Sequence, residues 1–172
     1  MDIPKIKMKS KHAAWLLGAA MVFAVPFIGQ REGNILHSYW DEHGKVWTAC
    51  EGVTVGVIPD HLYTEAECDQ MNTATKLQYG AQVVNLSPEN VSPKTMGAYI
   101  SFAYNIGING FASSSTLRLA KAGDIAGSCE AMLKWYKAGG HDCRLDKGLP
   151  RGCYGVWARR LDERKMCMEG IE

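Results

Sequence analysis

The chain has 172 residues and a mass of 18.9 kDa, a size suited to one domain with a short extension. Apolar residues make up 47% and charged residues 22%, which excludes wholesale disorder. A formal charge of +1 excludes a global nucleic-acid-binding signature. Basic charge does gather locally. Lys5, Lys7, Lys9 and Lys11 open the chain, and Arg159, Arg160, Arg164 and Lys165 lie near its end. The second cluster reads as a solvated helix face, with a glycan-lining face as the alternative.

Residues 13–29 (AAWLLGAAMVFAVPFIG) carry no charge. At about 1.5 Å rise per residue they reach only about 25 Å, short of a hydrocarbon core of about 30 Å. Seven of them are Ala or Gly, and Pro26 weakens a helix further. The Leu, Ile, Val and Phe residues together supply only about −2 to −4 kcal/mol of insertion free energy. The segment is expected to enter a bilayer but to hold it weakly. Three readings compete: a cleaved signal peptide, with Val22-Phe23-Ala24 as a passable cleavage site; a permanent anchor; and a retained anchor that later leaves the bilayer. The Ala and Gly content fits the last best. In each, the lysines keep the N-terminus in the cytoplasm and the rest of the chain is exported across the inner membrane. Residues 1–29 are thus expected to stand outside the fold, with residues 30–172 as the folded domain.

Residues 31–52 read REGNILHSYWDEHGKVWTACEG. Residues 36–54 contain two extended runs around the polar turn Asp41-Glu42-His43-Gly44, the pattern of a hairpin. Glu32 is followed by Asp41 and then by Thr48. Two carboxylates and a hydroxyl gathered by a short hairpin are the minimal equipment for cutting a glycosidic bond. One carboxylic acid protonates the leaving oxygen while a carboxylate on the other face manages water or the sugar cation. Taken alone, such a pair in a surface hairpin is more often two solvated charges.

Helices follow. Thr64-Glu65-Ala66-Glu67 is a capping box that starts one running to about Val84. Leu86-Ser87-Pro88 breaks it, and Ser92 with Pro93 supplies the next N-cap and first helical residue. Met96, Tyr99, Ile100, Ala103 and Ile106 then form an apolar stripe, ended by Gly107 and Gly110. Shorter helices are expected over Ser115–Lys121, residues 124–136 and residues 156–168. Tyr99, Phe102 and Tyr104 read as core or cleft wall, and Trp47, Trp135 and Trp157 as core. Six cysteines form an even set, and with export they imply three disulfides. Six cysteines allow 15 pairings, so the connectivity stays open. Cys143 and Cys153 flank a Gly/Pro loop and are the candidate local staple, with Cys50–Cys68 and Cys129–Cys167 as the candidate pairs for the rest. No CxxC or HxxxH spacing occurs, and His12, His37, His43, His61 and His141 have no metal-site partner in sequence, so no metal or cofactor is expected.

These residues, in this order, resemble the phage-type lysozyme (muramidase) endolysins, specifically the signal-arrest-release subgroup of lambdoid phages. The likeness spans essentially the whole chain. Besides the marginal anchor, it is carried by Glu32-Gly33, Tyr39-x-Asp41, Trp47-Thr48-x-Cys50-x-Gly52-x-Thr54, Tyr63-Thr64-x-Ala66-Glu67-Cys68 and Ser101-Phe102-x-Tyr104-Asn105-x-Gly107. Gly110-Phe111, Ser115-Thr116-Leu117, Gly123-Asp124, Trp135, Ala138-Gly139-Gly140 and Arg159-Arg160-x-x-Glu163 extend it. The resemblance implies an α+β lysozyme-like fold, a small N-terminal lobe with a β-hairpin joined by a long helix to a helical C-terminal lobe. It implies hydrolysis of the β-1,4 bond between N-acetylmuramic acid and N-acetylglucosamine in peptidoglycan glycan strands, causing host cell lysis.

By the same resemblance, Glu32 is the general acid, Asp41 stays ionised to position water or stabilise the sugar cation, and Thr48 binds the attacking water. Inversion of configuration is implied, which requires carboxyls far enough apart to admit a water. Tyr104 and Asn105 fall where the family lines its cleft. Two departures stand out. Six residues (EHGKVW) separate Asp41 from Thr48 where the family has five, so Glu42 is a rival for Asp41, although it breaks the spacing to Glu32. Val53 stands where relatives often carry a histidine in Gly-His-Thr.

The anchor suggests control. Glu32 lies three residues beyond Gly29, so an extended link reaches only about 10 Å. While the segment is in the inner membrane, Glu32 is tethered at the headgroups. Release, for example when holins collapse the membrane potential, lets the site assemble. The segment contains no cysteine, which favours a conformational switch over thiol exchange. A lytic transglycosylase, a non-catalytic peptidoglycan-binding protein and a chitinase-like glycosidase are the alternatives.

Overall fold

The computed structural model describes residues 7–42 and 44–172, so Lys5 and His43 lie outside the described residues. Helix α1 (Lys11–Gly29) starts where the Ser10 hydroxyl accepts the Ala13 N–H at 2.8 Å, and carries Pro26 in its last turn. Strands β1 (Ile35–Asp41) and β2 (Val46–Cys50) form an antiparallel hairpin, with Tyr39 opposite Thr48, Trp40 opposite Trp47 and Asp41 opposite Val46. The Lys45 N–H closes the turn on the Asp41 carbonyl at 2.7 Å, with Lys45 itself at φ 53°. Ser38 pins the following loop, its Oγ donating to the Ile58 carbonyl and accepting the His61 N–H, both at 2.8 Å.

Helix α2 (Glu65–Leu86) begins at the expected capping box, with Thr64 and Glu67 each accepting the other's backbone N–H. Helix α3 (Pro93–Ile106) begins at Ser92 and is buried from Thr95 to Ala103. Its stripe packs on α1 and on α7 (Tyr154–Glu169), so α3 is the centre of the helical lobe.

Of the segment expected to stand outside the fold, α1 (Lys11–Gly29) instead lies within it. Ala13, Leu16, Ala20, Met21, Ala24 and Ile28 recur every one to four residues along one face of α1 and are buried. Small residues receive them. A Cβ at Gly97 of α3 would lie 2.9 Å from Phe23 Cβ and 3.1 Å from the Ala20 carbonyl oxygen; one at Gly80 of α2 would lie 2.8 Å from Leu17. The alanines that weaken this segment as an anchor are the residues that fit it closely here. Its outward face stays apolar, with Trp15 59% and Val22 70% exposed.

Four details differ from expectation. Gly107, at φ 81°, ends α3, but the chain re-enters a helix at once, α4 (Ile108–Ser113), with Gly110 inside it rather than ending anything. A Cβ at Gly110 would touch the Ile106 and Trp135 side chains at 3.4 Å, an ordinary van der Waals contact. Helix α5 (Ser115–Lys121) is as expected, but α6 (Ile125–Ala131), capped by Asp124, tightens into a 3₁₀ turn at Met132–Lys134. A small hairpin, β3 (Lys137–Ala138) and β4 (His141–Asp142), turns on Gly139-Gly140, both at positive φ. Trp135 packs on the core, whereas Trp47 and Trp157 are only half-buried.

Disulfides join Cys50–Cys68, Cys129–Cys167 and Cys143–Cys153. The first ties the hairpin to α2 and the second ties α6 to α7. The result is a small hairpin lobe, a long connecting helix and a helical lobe, the expected α+β plan.

Candidate active site

Glu32 sits where α1 ends. Its N–H and that of Arg31 donate to the Ile28 carbonyl at 3.1 and 2.9 Å. Ile28 is fully buried, so the docked helix fixes the backbone of Glu32. The Glu32 side chain, 25% exposed, accepts a hydrogen bond from Arg159 Nη1 at 2.6 Å.

The hairpin carries the other candidates. Because Asp41 pairs with Val46 and Tyr39 with Thr48, Asp41 and Thr48 are diagonal neighbours on one face. Thr48 is buried and its Oγ1 donates to the Val46 carbonyl at 3.4 Å. A Cβ at Gly44 would lie 2.9 Å from Asp41 Oδ2, so the turn folds tightly over that carboxylate. Glu42, in contrast, pairs with Lys45 at 2.8 Å on the exposed turn. The two lobes meet at Tyr104, whose hydroxyl donates to the Glu51 carbonyl at 2.9 Å. Burial first, then the charges of Glu32 and Glu51, push the Tyr104 phenol pKa up, so it stays a protonated donor. Asn105 is exposed, and its Oδ1 accepts from Arg160 Nη2 at 2.8 Å.

Residues 29–163 match the family model described as Phage lysozyme. The SAR-endolysin of Escherichia phage N15 is 37% identical over 142 residues, covering 80% of this chain and 79% of that protein. The chain belongs to the phage lysozyme family. The SAR-endolysin of Escherichia phage 933W is 34% identical over 151 residues, 85% of this chain and 83% of that one. In fold, this phage lysozyme is similar to the muramidase domain of SpmX from Asticaccaulis excentricus, with a TM-score of 0.71 at 22% identity over 84% of this chain and 94% of that one. It is likewise similar to the active form of the P1 phage endolysin Lyz, with a TM-score of 0.68 at 20% identity over 93% of this chain and 95% of that one.

The arginines of this phage lysozyme correct the expectation of a solvated face. Arg159 and Arg160 are buried around a fully buried Glu163, and only Arg164 and Lys165 point outward. Glu163 accepts from Arg159 Nε at 3.0 Å and from Ser101 Oγ at 2.6 Å, and pairs with Arg160 Nε at 3.1 Å. Burial, opposed by Glu163 and assisted by Arg159, lowers the Arg160 pKa to about 10. Glu163→Ala would leave two guanidinium groups buried against one remaining carboxylate. It should cost about 3–5 kcal/mol, read as a fall in melting temperature, while Glu163→Gln should cost less because it keeps an acceptor.

Lys76 of α2 also escaped the sequence reading. It is buried and paired with Glu51, whose N–H donates to Asn72 Oδ1 at 3.0 Å. This pair ties the hairpin to α2 in the lobe where Val53 offers no polar group. It also lies under the end of α1, since a Cβ at Gly29 would sit 3.7 Å from Lys76 Nζ. Among the described residues, His141, Asp146 and Cys153 could be grouped as metal ligands. Cys153, however, is committed to a disulfide, and Asp146 already accepts from the Cys153 N–H and pairs with His141, each at 2.8 Å. Two remaining ligands are too few for a structural site.

Proposed function

We propose that Glu32 is the general acid of a muramidase reaction in which Asp41 and Thr48 manage the water. As a phage lysozyme, the protein hydrolyses the β-1,4 bond between N-acetylmuramic acid and N-acetylglucosamine in peptidoglycan glycan strands, lysing the host cell. The observation that carries the residue assignment is the placement of Glu32. It is fixed by the buried end of α1 and by Arg159, while Asp41 and Thr48 share one face of the hairpin. A carboxyl on each side of a bound glycan is what acid-assisted displacement by water requires. Glu42 is drawn to Lys45 on the exposed turn, which favours Asp41 as the second carboxylate.

The same arrangement favours control by the membrane. Helix α1 is, among the described residues, long and apolar enough to cross a bilayer, and the lysines before it favour a cytoplasmic N-terminus. While α1 is in the inner membrane its end is not packed on α3, and the hydrogen bonds that the Arg31 and Glu32 N–H groups donate to the Ile28 carbonyl have no fixed base. Release into the periplasm, timed by a holin, lets α1 dock and completes the site.

The test uses the full chain with purified peptidoglycan and mass spectrometry of the soluble products, beside Glu32→Gln and Asp41→Asn. Reducing-end muramic acid products are expected from the wild type, with rates falling about 10²–10⁴-fold in Glu32→Gln. Anhydro products would instead mean a transglycosylase, and undiminished Glu32→Gln would remove that residue from the chemistry.

A further inference from the structure

Arg31 and Glu32 are consecutive, of opposite charge, and each meets its opposite on α7. Arg31 Nη2 donates to Asp162 Oδ2, and Arg159 Nη1 donates to Glu32 Oε1, both at 2.6 Å. Asp162 and Arg159 are one helical turn apart and share a face of α7. Arg159 is held in place, buried and bonded to Glu163 and to the Ser101 carbonyl at 3.2 Å. Glu32 must therefore be brought to it.

Arg31 has a second grip. Its guanidinium carbon lies 3.6 Å from the centroid of the Phe27 ring, and its Nη1 donates to the Phe27 carbonyl at 3.0 Å. Phe27 belongs to the apolar segment. One planar guanidinium thus holds the last turn of α1 and the face of α7 together, and only docked α1 offers both surfaces. The Asp162 side chain is 52% exposed, so its pair with Arg31 adds little to stability and acts instead as the lateral tie to α7. The ring and the carbonyl add a stacked contact and a fixed direction to the fork.

We propose that Arg31 is a positioning residue that converts docking of α1 into placement of the Glu32 carboxyl against Arg159. The proposal rests on Glu32 as the general acid. Without Arg31, the backbone of Glu32 stays bonded to Ile28, but the chain there loses its lateral tie to α7 and the carboxyl sweeps a wider arc. Among the described residues, Arg31 makes no hydrogen bond to Tyr104 or Asn105, the candidate sugar-lining residues, whose bonds go to Glu51 and Arg160. The loss should therefore fall on kcat and spare KM.

Full-length wild type, Arg31→Ala, Arg31→Lys, Phe27→Leu, the double variant Arg31→Ala/Phe27→Leu, and Glu32→Gln are compared for kcat and KM in reducing-end release from peptidoglycan. Arg31→Ala should lower kcat about 10- to 100-fold with KM changed less than about twofold. Arg31→Lys should recover only part, because it keeps charge without the planar fork. Phe27→Leu should lower kcat about threefold alone and have no further effect once Arg31 is alanine, since both act through one contact. Arg31→Ala with kcat within about twofold of wild type, or losses that simply multiply in the double variant, overturns the proposal. Should Arg31→Ala melt below the assay temperature, Asp162→Asn, a surface change, should lower kcat several-fold with KM preserved, and no loss there overturns it equally. An active Glu32→Gln would undo the general-acid reading itself. An inactive Glu32→Gln beside an unimpaired Arg31→Ala would sink the positioning role alone.

Discussion

A chain lacking residues 1–29 should be exported by a substitute signal, retain its three disulfides and fail to cleave peptidoglycan. Deletion strips Leu16, Met21 and Ile28, together with Ala13, Ala20 and Ala24, from a core that also contains Met96, Tyr99 and Ile100. Burial of each large side chain is worth about 1.5–3 kcal/mol. The sum for Leu16, Met21 and Ile28, about 5–9 kcal/mol, is comparable to the whole stability of an ordinary domain. The disulfides would hold the chain compact without restoring side-chain packing, which describes a molten state. Far-UV circular dichroism should therefore survive while the cooperative melt disappears. The site would fail for a second reason, since Arg31 and Glu32 lose the Ile28 carbonyl that bonds their N–H groups. Retention of wild-type kcat by the truncated chain would show that Glu32 finds its place without α1, and the coupling of membrane release to activity would fall with it.

Signals that act over one or two turns were legible in the sequence. Thr64 with Glu67, and Ser92 with Pro93, set helix starts because the groups they satisfy lie three residues away. The hairpin was legible because its polar turn interrupts two extended runs. Helix α4 was not. Gly107 does stop α3, but the restart depends on Phe111 reaching a pocket formed by Tyr99 and Phe102, and no local pattern announces that. The Gly139-Gly140 hairpin carried a proper turn signal and was missed because its strands are only two residues long. Arg159 and Arg160 looked solvated because a charge cluster near a chain end usually is. Their burial follows from Glu163 on the same helix and Glu32 on a segment 127 residues away. The same limit explains α1. Its composition could be weighed against a bilayer, but Gly80 and Gly97, which receive it, gain meaning only when three helices cross.

That crossing makes Gly97→Val the substitution that separates the two roles of the N-terminal segment. The change lies in α3 and leaves every residue of the anchor intact, so membrane insertion and retention should equal wild type. Docking should not. Even a bare Cβ at position 97 would stand 2.9 Å from Phe23 Cβ and 3.1 Å from the Ala20 carbonyl oxygen, and the second of these is backbone that cannot rotate away. Valine adds two methyl groups to a side chain with little χ1 freedom in a helix. Helix α1 must then shift by about 1 Å or dissociate, and a displacement of that size at a catalytic group costs about 10²-fold in rate. Ala20→Leu with Ala24→Leu makes the informative contrast. Each leucine strengthens insertion by several tenths of a kcal/mol and also obstructs the packed face, so that variant should be both retained in the membrane and inactive. Gly97→Val should appear in the periplasmic fraction as readily as wild type yet release no muropeptides. Full lysis by Gly97→Val would mean that close packing of α1 on α3 is dispensable. Inactivity with normal release would place the decisive step after the membrane, in the fit of alanine against glycine.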